Sequence, residues 1–179
     1  MRAVSLKLVD AAFASISEHG YDDTNVISIA RSAGVDRSTF YRYFESKEDI
    51  VYNGCLRFVL DLNSASASHG LVVHPLEADV WSVFGHVRTR YQFYQQMDQS
   101  AAGPSFWNHF LSSVDELCFA RAPAPTRSEC YLRVAFSGIL IGYLHWWLRH
   151  RDHVDLNTAY TGSVYALRGI VAQFPGARI

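Results

Sequence analysis

Apolar positions recur along this chain in steps of three and four residues, and no stretch alternates with period two for long enough to form a sheet. An all-α fold is expected. The first helix carries Val9, Ala12, Phe13 and Ile16 on one face and ends near Gly20, a candidate left-handed cap. A short second helix follows, with Thr24 or Asn25 as N-cap and Ile29, Ala30 and Ala33 inside. Gly34 then opens the stretch GVDRSTFYRYF, and Ser46 with Asp49 opens another helix marked by Val51, Cys55, Phe58, Val59 and Leu62. That helix fades into SASASHG before Pro75, the point at which composition alone places a domain boundary. Beyond it, Val80, Phe84, Val87, Tyr91 and Tyr94 predict one long helix, AAGPS a break, and Phe106 to Cys118 a further helix. RAPAPT is the next break. Thr126 and Glu129 form a capping box for a strongly apolar helix reaching about Arg149, and Leu156, Tyr160, Val164, Leu167 and Val171 mark the last one.

Two short helices meeting at a steep angle need a small side chain where their backbones approach and a residue free to take positive φ at the corner. Ala30 and Gly34 supply both, and the next inward residues, Val35 and Phe40, complete helix-turn-helix spacing. Asp36 is placed to cap the second of these helices, with Phe40 and Phe44 on its core side. With Phe40 inward, Ser38 and Arg42 lie about 200° away, Thr39 and Tyr41 about 100° to either side, and Arg37 and Tyr43 at the flanks. The exposed face therefore reads Arg, Ser, Thr, Tyr, Arg, without an aliphatic residue. Arginine bridges guanine O6 and N7, hydroxyls reach bases or phosphates, and tyrosine donates to phosphate, so this face suits a major groove. Lys47, at the start of the next helix, is placed to meet a phosphate. The alternative for the same residues is an ordinary solvated face.

A formal net charge of −1 over 179 residues excludes a protein that coats nucleic acid non-specifically, but Arg31, Arg37, Arg42 and Lys47 outnumber Asp36 and Glu45 where the charge would be used. The three cysteines fit neither a disulfide framework nor a zinc spacing, and the N-terminus is not a signal peptide, so a reducing cytoplasm is expected. The most apolar run, between Arg133 and Arg149, is too short to span a bilayer, and no membrane partner is expected. His145 reads as a hydrogen-bonded core or interface residue rather than a ligand contact, His86, His109, His150 and His153 show no metal spacing, and no metal or cofactor is expected.

ISIARSAGVDRSTFYRYFESKEDI, preceded by HGYDDTNV, resembles the DNA-binding region of the TetR family of bacterial transcriptional regulators, from about Val9 to Leu56. The matching elements are Gly20-Tyr21, Ile29-Ala30, Ala33-Gly34-Val35, Thr39-Phe40-Tyr41, Tyr43-Phe44 and Ser46-Lys47-Glu48. What the resemblance implies is a three-helix DNA-binding head over residues 1–46 and an effector-binding, dimerising helical body over residues 47–179, beginning with a linking fourth helix. It also implies homodimerisation through the last two helices and repression relieved by a small molecule of unknown identity. By position, DNA contacts would fall on Arg37, Ser38, Thr39, Tyr41, Tyr43 and Lys47, and the helical wheel adds Arg42. Ile27 sits where relatives often carry a polar or charged residue, and Asp36 replaces a serine-like cap.

In the body, Trp81, Phe84, Tyr91, Tyr94, Phe106, Trp107, Phe110, Tyr143 and Trp147 are the candidates to line an apolar effector pocket, with plain core as the alternative for each. The last two helices are apolar around more of their circumference than a monomer needs, with Ser137, Gly138 and Gly142 permitting close approach, which predicts a four-helix dimer interface. No Gly-x-Ser-x-Gly, phosphate-binding glycine loop or Cys-His arrangement stands out, so the chain is not expected to be an enzyme. A ligand-binding scaffold that has lost DNA binding is the remaining alternative.

Overall fold

The computed structural model describes residues 2–55, 75–119 and 127–173, and among them every regular element is a helix. In chain order these are α1 (Arg2–His19), α2 (Val26–Ser32), α3 (Arg37–Tyr41), α4 (47–55), α5 (Pro75–Thr89), α6 (Tyr91–Gln99), α7 (Gly103–Phe119), α8 (Arg127–His150) and α9 (Leu156–Val171). SASASHG lies outside the described residues, as do the Thr126–Glu129 capping box and the end of the fourth helix.

Packing divides the chain into two units. The first joins residues 1–58 to residues 90–110, and the second joins 59–89 to 111–179. Composition alone places a boundary at SASASHG, and the family resemblance implies one between residues 46 and 47.

In the first unit, α1 buries Leu8, Val9, Ala12, Phe13 and Ile16, and packs on both α2 and α6. Phe13 stacks on Phe93 of α6 with ring centroids 4.1 Å apart, and the Arg90 guanidinium lies 5.9 Å from the same ring. Tyr94, Phe106, Trp107 and Phe110 bury their rings against one another at 5.3–6.2 Å, and the Trp107 indole donates to Asp98 at 3.1 Å. Cys55 lies against Tyr94, and burial pushes its thiol up to about 12, which keeps it protonated and inert.

Gly54 of α4 allows the approach to α1. A Cβ there would lie 2.6 Å from Phe13 Cζ and 3.0 Å from Val9 Cγ1. Alanine gains up to about 1 kcal/mol of helix propensity over glycine, but overpacking a ring already held by Phe93 costs about 1–3 kcal/mol. Gly54→Ala is therefore expected to lower the thermal midpoint of the purified protein. An unchanged or raised midpoint would mean that α1 and α4 separate freely.

The second unit is built on α9, which packs against α8 and α5. Asp155 caps α9, its two oxygens accepting from the Thr158 backbone N–H at 2.9 Å and the Thr158 hydroxyl at 2.7 Å. Trp81 meets Tyr160 edge-on at 4.7 Å. Gly162 faces Tyr143 so closely that a Cβ would lie 2.6 Å from that ring.

The long helix predicted through Val80 and Tyr94 is two helices. Arg90, at φ −121° and ψ 33°, interrupts it. The apolar spacing runs on across the break, but the packing partner changes: α5 packs on α9 and α6 on α1.

Candidate nucleic-acid interface

The turn between α2 and α3 is set by backbone hydrogen bonds. Gly34, at φ 71°, donates to the Arg31 carbonyl at 3.0 Å, and Val35 donates to the Ala30 carbonyl at 3.0 Å. This pairing around a left-handed glycine satisfies the last carbonyls of α2 and turns the chain sharply. At the other end of α2, Asn25 Oδ1 accepts from the Ser28 N–H at 3.0 Å while Ser28 Oγ accepts from the Asn25 N–H at 3.2 Å, a reciprocal cap. Ile29 and Ala30 are buried, whereas Ala33 is only half-buried.

Helix α3 is held at both ends. Asp36 Oδ1 accepts from the Thr39 N–H at 2.6 Å and from the Ser38 hydroxyl at 2.7 Å, and those hydrogen bonds hold its carboxyl below the usual range. Phe40 and Phe44 are buried with centroids 5.8 Å apart. The opposite face is open: Arg37, Ser38, Tyr41 and Arg42 are exposed, and Thr39 and Tyr43 are partly so. Arg37 Nη2 donates to the Tyr41 hydroxyl at 3.3 Å and lies over its ring at 5.3 Å. The two side chains therefore present a guanidinium and a phenol as one group.

Lys47 has a second role that spacing does not reveal. Its ammonium donates to the Tyr21 carbonyl at 2.7 Å and the Thr24 carbonyl at 2.9 Å, and sits 3.9 Å above the Tyr21 ring. The Tyr21 hydroxyl in turn donates to Glu48 Oε1 at 2.5 Å. These contacts fasten the start of α4 to the turn between α1 and α2, leaving one of the three ammonium protons for a phosphate. The signal was available in Gly20-Tyr21 and Ser46-Lys47-Glu48, but their pairing crosses more than twenty residues.

The fastening is pH-sensitive. The hydrogen bond from Tyr21 holds the Glu48 carboxyl below its ordinary value of about 4.5, while burial and Glu48 hold the Tyr21 phenol well above 10. A depressed carboxylate stabilises the fold above its unfolded pKa and loses that contribution as pH falls through the folded one. A raised phenol contributes below pH 10 and loses its part above it. Urea midpoints are thus expected to fall below pH 4.5, and Glu48→Gln to flatten part of that limb, with the hydrogen-bonded carboxyls of Asp36 and Asp155 contributing to the rest. An identical acid limb in Glu48→Gln would show that the carboxylate is not fastened in solution.

The nine aromatic candidates are divided between the units: Tyr91, Tyr94, Phe106, Trp107 and Phe110 in the first, Trp81, Phe84, Tyr143 and Trp147 in the second. Trp81 is the most open, and Tyr91 and Tyr143 are half-buried. On α8, Tyr131, Val134, Gly138, Gly142 and Trp146 are exposed along one stripe, as is Tyr165 on α9. Among the described residues there is no cluster of three or more His, Cys, Asp or Glu side chains fit for a metal, and no helix long and apolar enough to cross a membrane.

Residues 8–52 match the family model described as bacterial regulatory proteins, tetR family. The fatty acid metabolism regulator protein of Bacillus subtilis (strain 168) is 46% identical over 46 residues, 26% of this chain and 24% of its own. The HTH-type transcriptional regulator HbdR of Aromatoleum sp. (strain CIB) is 34% identical over 73 residues, 40% of this chain and 31% of its own. These matches span only about a quarter to a third of the curated relatives. Over 97% of this chain, the fold is similar to that of the transcriptional regulator FadR from Bacillus subtilis, solved in complex with stearoyl-CoA, at a TM-score of 0.62, 20% identity and 99% coverage of that structure.

Proposed function

We propose that this chain, a TetR-family transcriptional regulator, is a homodimeric repressor that reads a near-palindromic operator through α3 and is released by a small hydrophobic or aromatic effector. The observation that carries the reading is the face of Arg37, Ser38, Tyr41 and Arg42, exposed on a helix whose turn, cap and core are all fixed. In the complex, Arg37 and Arg42 meet base edges, Tyr41 and Tyr43 meet phosphates, Ser38 and Thr39 supply hydroxyls, and Lys47 offers its remaining N–H to a phosphate.

The α8 stripe supports the dimer. Val134, 75% exposed, and Trp146 lie in line with two glycines that have open space where a Cβ would be. A second copy laid along it would bury these side chains, and a dimer carries two α3 helices for the two half-sites of one operator. For the effector, a long-chain acyl thioester is the first compound to test, because the similarly folded FadR was solved with stearoyl-CoA. Trp81, as the most exposed of the nine aromatic candidates, offers the fluorescence signal.

The test is selection of duplexes from a randomised DNA pool by the purified chain at near-physiological salt, since phosphate contacts make affinity salt-dependent. Enrichment of an inverted repeat is expected. No enrichment at low or moderate salt would overturn the reading and favour a scaffold that binds ligand alone.

A further inference from the structure

In the first unit, two large apolar side chains among the described residues remain exposed, Ile27 and Tyr41, and both belong to the helix-turn-helix. Tyr41 has a polar tip and an arginine partner; Ile27 has neither. It is 51% exposed in the first turn of α2, where the Asn25–Ser28 reciprocal cap fixes the backbone on which it stands. A β-branched side chain in a helix has essentially one χ1 rotamer, so its direction is fixed as well. One turn further along the same face stands the exposed Arg31.

Resting on the DNA-binding reading above, we propose that Ile27 determines specificity by contacting the C5-methyl group of a thymine in each half-site. The first helix of a helix-turn-helix crosses the sugar-phosphate backbone beside the groove that the second helix enters. Isoleucine has no donor or acceptor to offer there. In the major groove the apolar group carried by a base is the thymine methyl, whereas deoxyribose offers apolar surface at every nucleotide without sequence information. A fixed aliphatic side chain beside an arginine on the same face thus pairs one sequence-reading contact with one charge for the backbone.

The experiment uses the duplex enriched by the full wild-type chain, with each thymine replaced singly by deoxyuridine, which removes only the methyl. One buried methylene-sized group corresponds to about 0.8 kcal/mol, so one position is expected to weaken wild-type binding about fourfold per half-site. Ile27→Ala is expected to bind more weakly and to ignore that same replacement, while its thermal midpoint stays at the wild-type value because the side chain is exposed. The inference is overturned if every deoxyuridine affects both proteins alike, if Ile27→Ala binds as wild type, or if it loses affinity equally for enriched and unrelated DNA, the mark of a deoxyribose contact. Failure of wild-type enrichment overturns the DNA-binding reading itself, and this inference with it; the two failures are separate observations.

Discussion

Replacing Phe40 with alanine is expected to destabilise the first unit by about 3–5 kcal/mol, the range for truncating a buried phenylalanine. Phe40 is fully buried, packs against Phe44 and edge-on against Tyr41 at 5.5 Å, and its carbonyl accepts from the Tyr43 and Phe44 N–H groups at 2.9 and 3.0 Å. Helix α3 has five residues, far too few to be stable alone, so its geometry comes from this anchor and from the Asp36 cap. DNA binding should therefore fall with stability. Phe40→Leu, which keeps most of the apolar volume, should lose much less. Urea unfolding followed by circular dichroism measures both variants, and a loss below about 1 kcal/mol for alanine would show that the cap and turn hold α3 without the ring.

Arg42→Ala is expected to cost about 1–3 kcal/mol of operator binding per half-site and to relax preference at one base position, with the fold intact. Arg42 is exposed and outside the core, so the loss would be in recognition. Titration against the enriched duplex and against single-base variants of it separates affinity from preference. If Arg42→Ala and Tyr41→Ala both bind as tightly as wild type, the recognition face is wrongly placed. Lys47 provides the contrast: removing a pure phosphate contact lowers the salt slope by about one, whereas removing the fastening to Tyr21 and Thr24 lowers the melting midpoint.

The difference between Arg42 and Lys47 also shows how far the sequence could be read. The helix-turn-helix was legible because its determinants are local: Gly34 at the corner, Asp36 at the cap, and Phe40 and Phe44 one turn apart. The exposed face followed from 3.6 residues per turn once Phe40 was set inward. Lys47 was legible only as a charge, since its carbonyl partners lie 26 and 23 residues earlier in the chain. The break at Arg90 was hidden for a related reason. Val87, Tyr91 and Tyr94 keep helical spacing across it, and periodicity records that a residue is covered without recording by what. Ile27 was legible as a departure in residue type, but its exposure needed the orientation of α2.

The first unit is assembled from two stretches separated in the chain, and synthesis is vectorial. When residue 58 has been added, Phe13 has no Phe93 to stack on, and Cys55 has no Tyr94 beside it. The ribosome must add 52 more residues, through Phe110, before that half of the core exists, a delay of roughly 3–10 seconds at about 5–20 residues per second. During that interval the helix-turn-helix end lacks the side chains on which Phe13 and Cys55 pack, and it gains its full set of packing partners only after the first stretch of the other unit has been made.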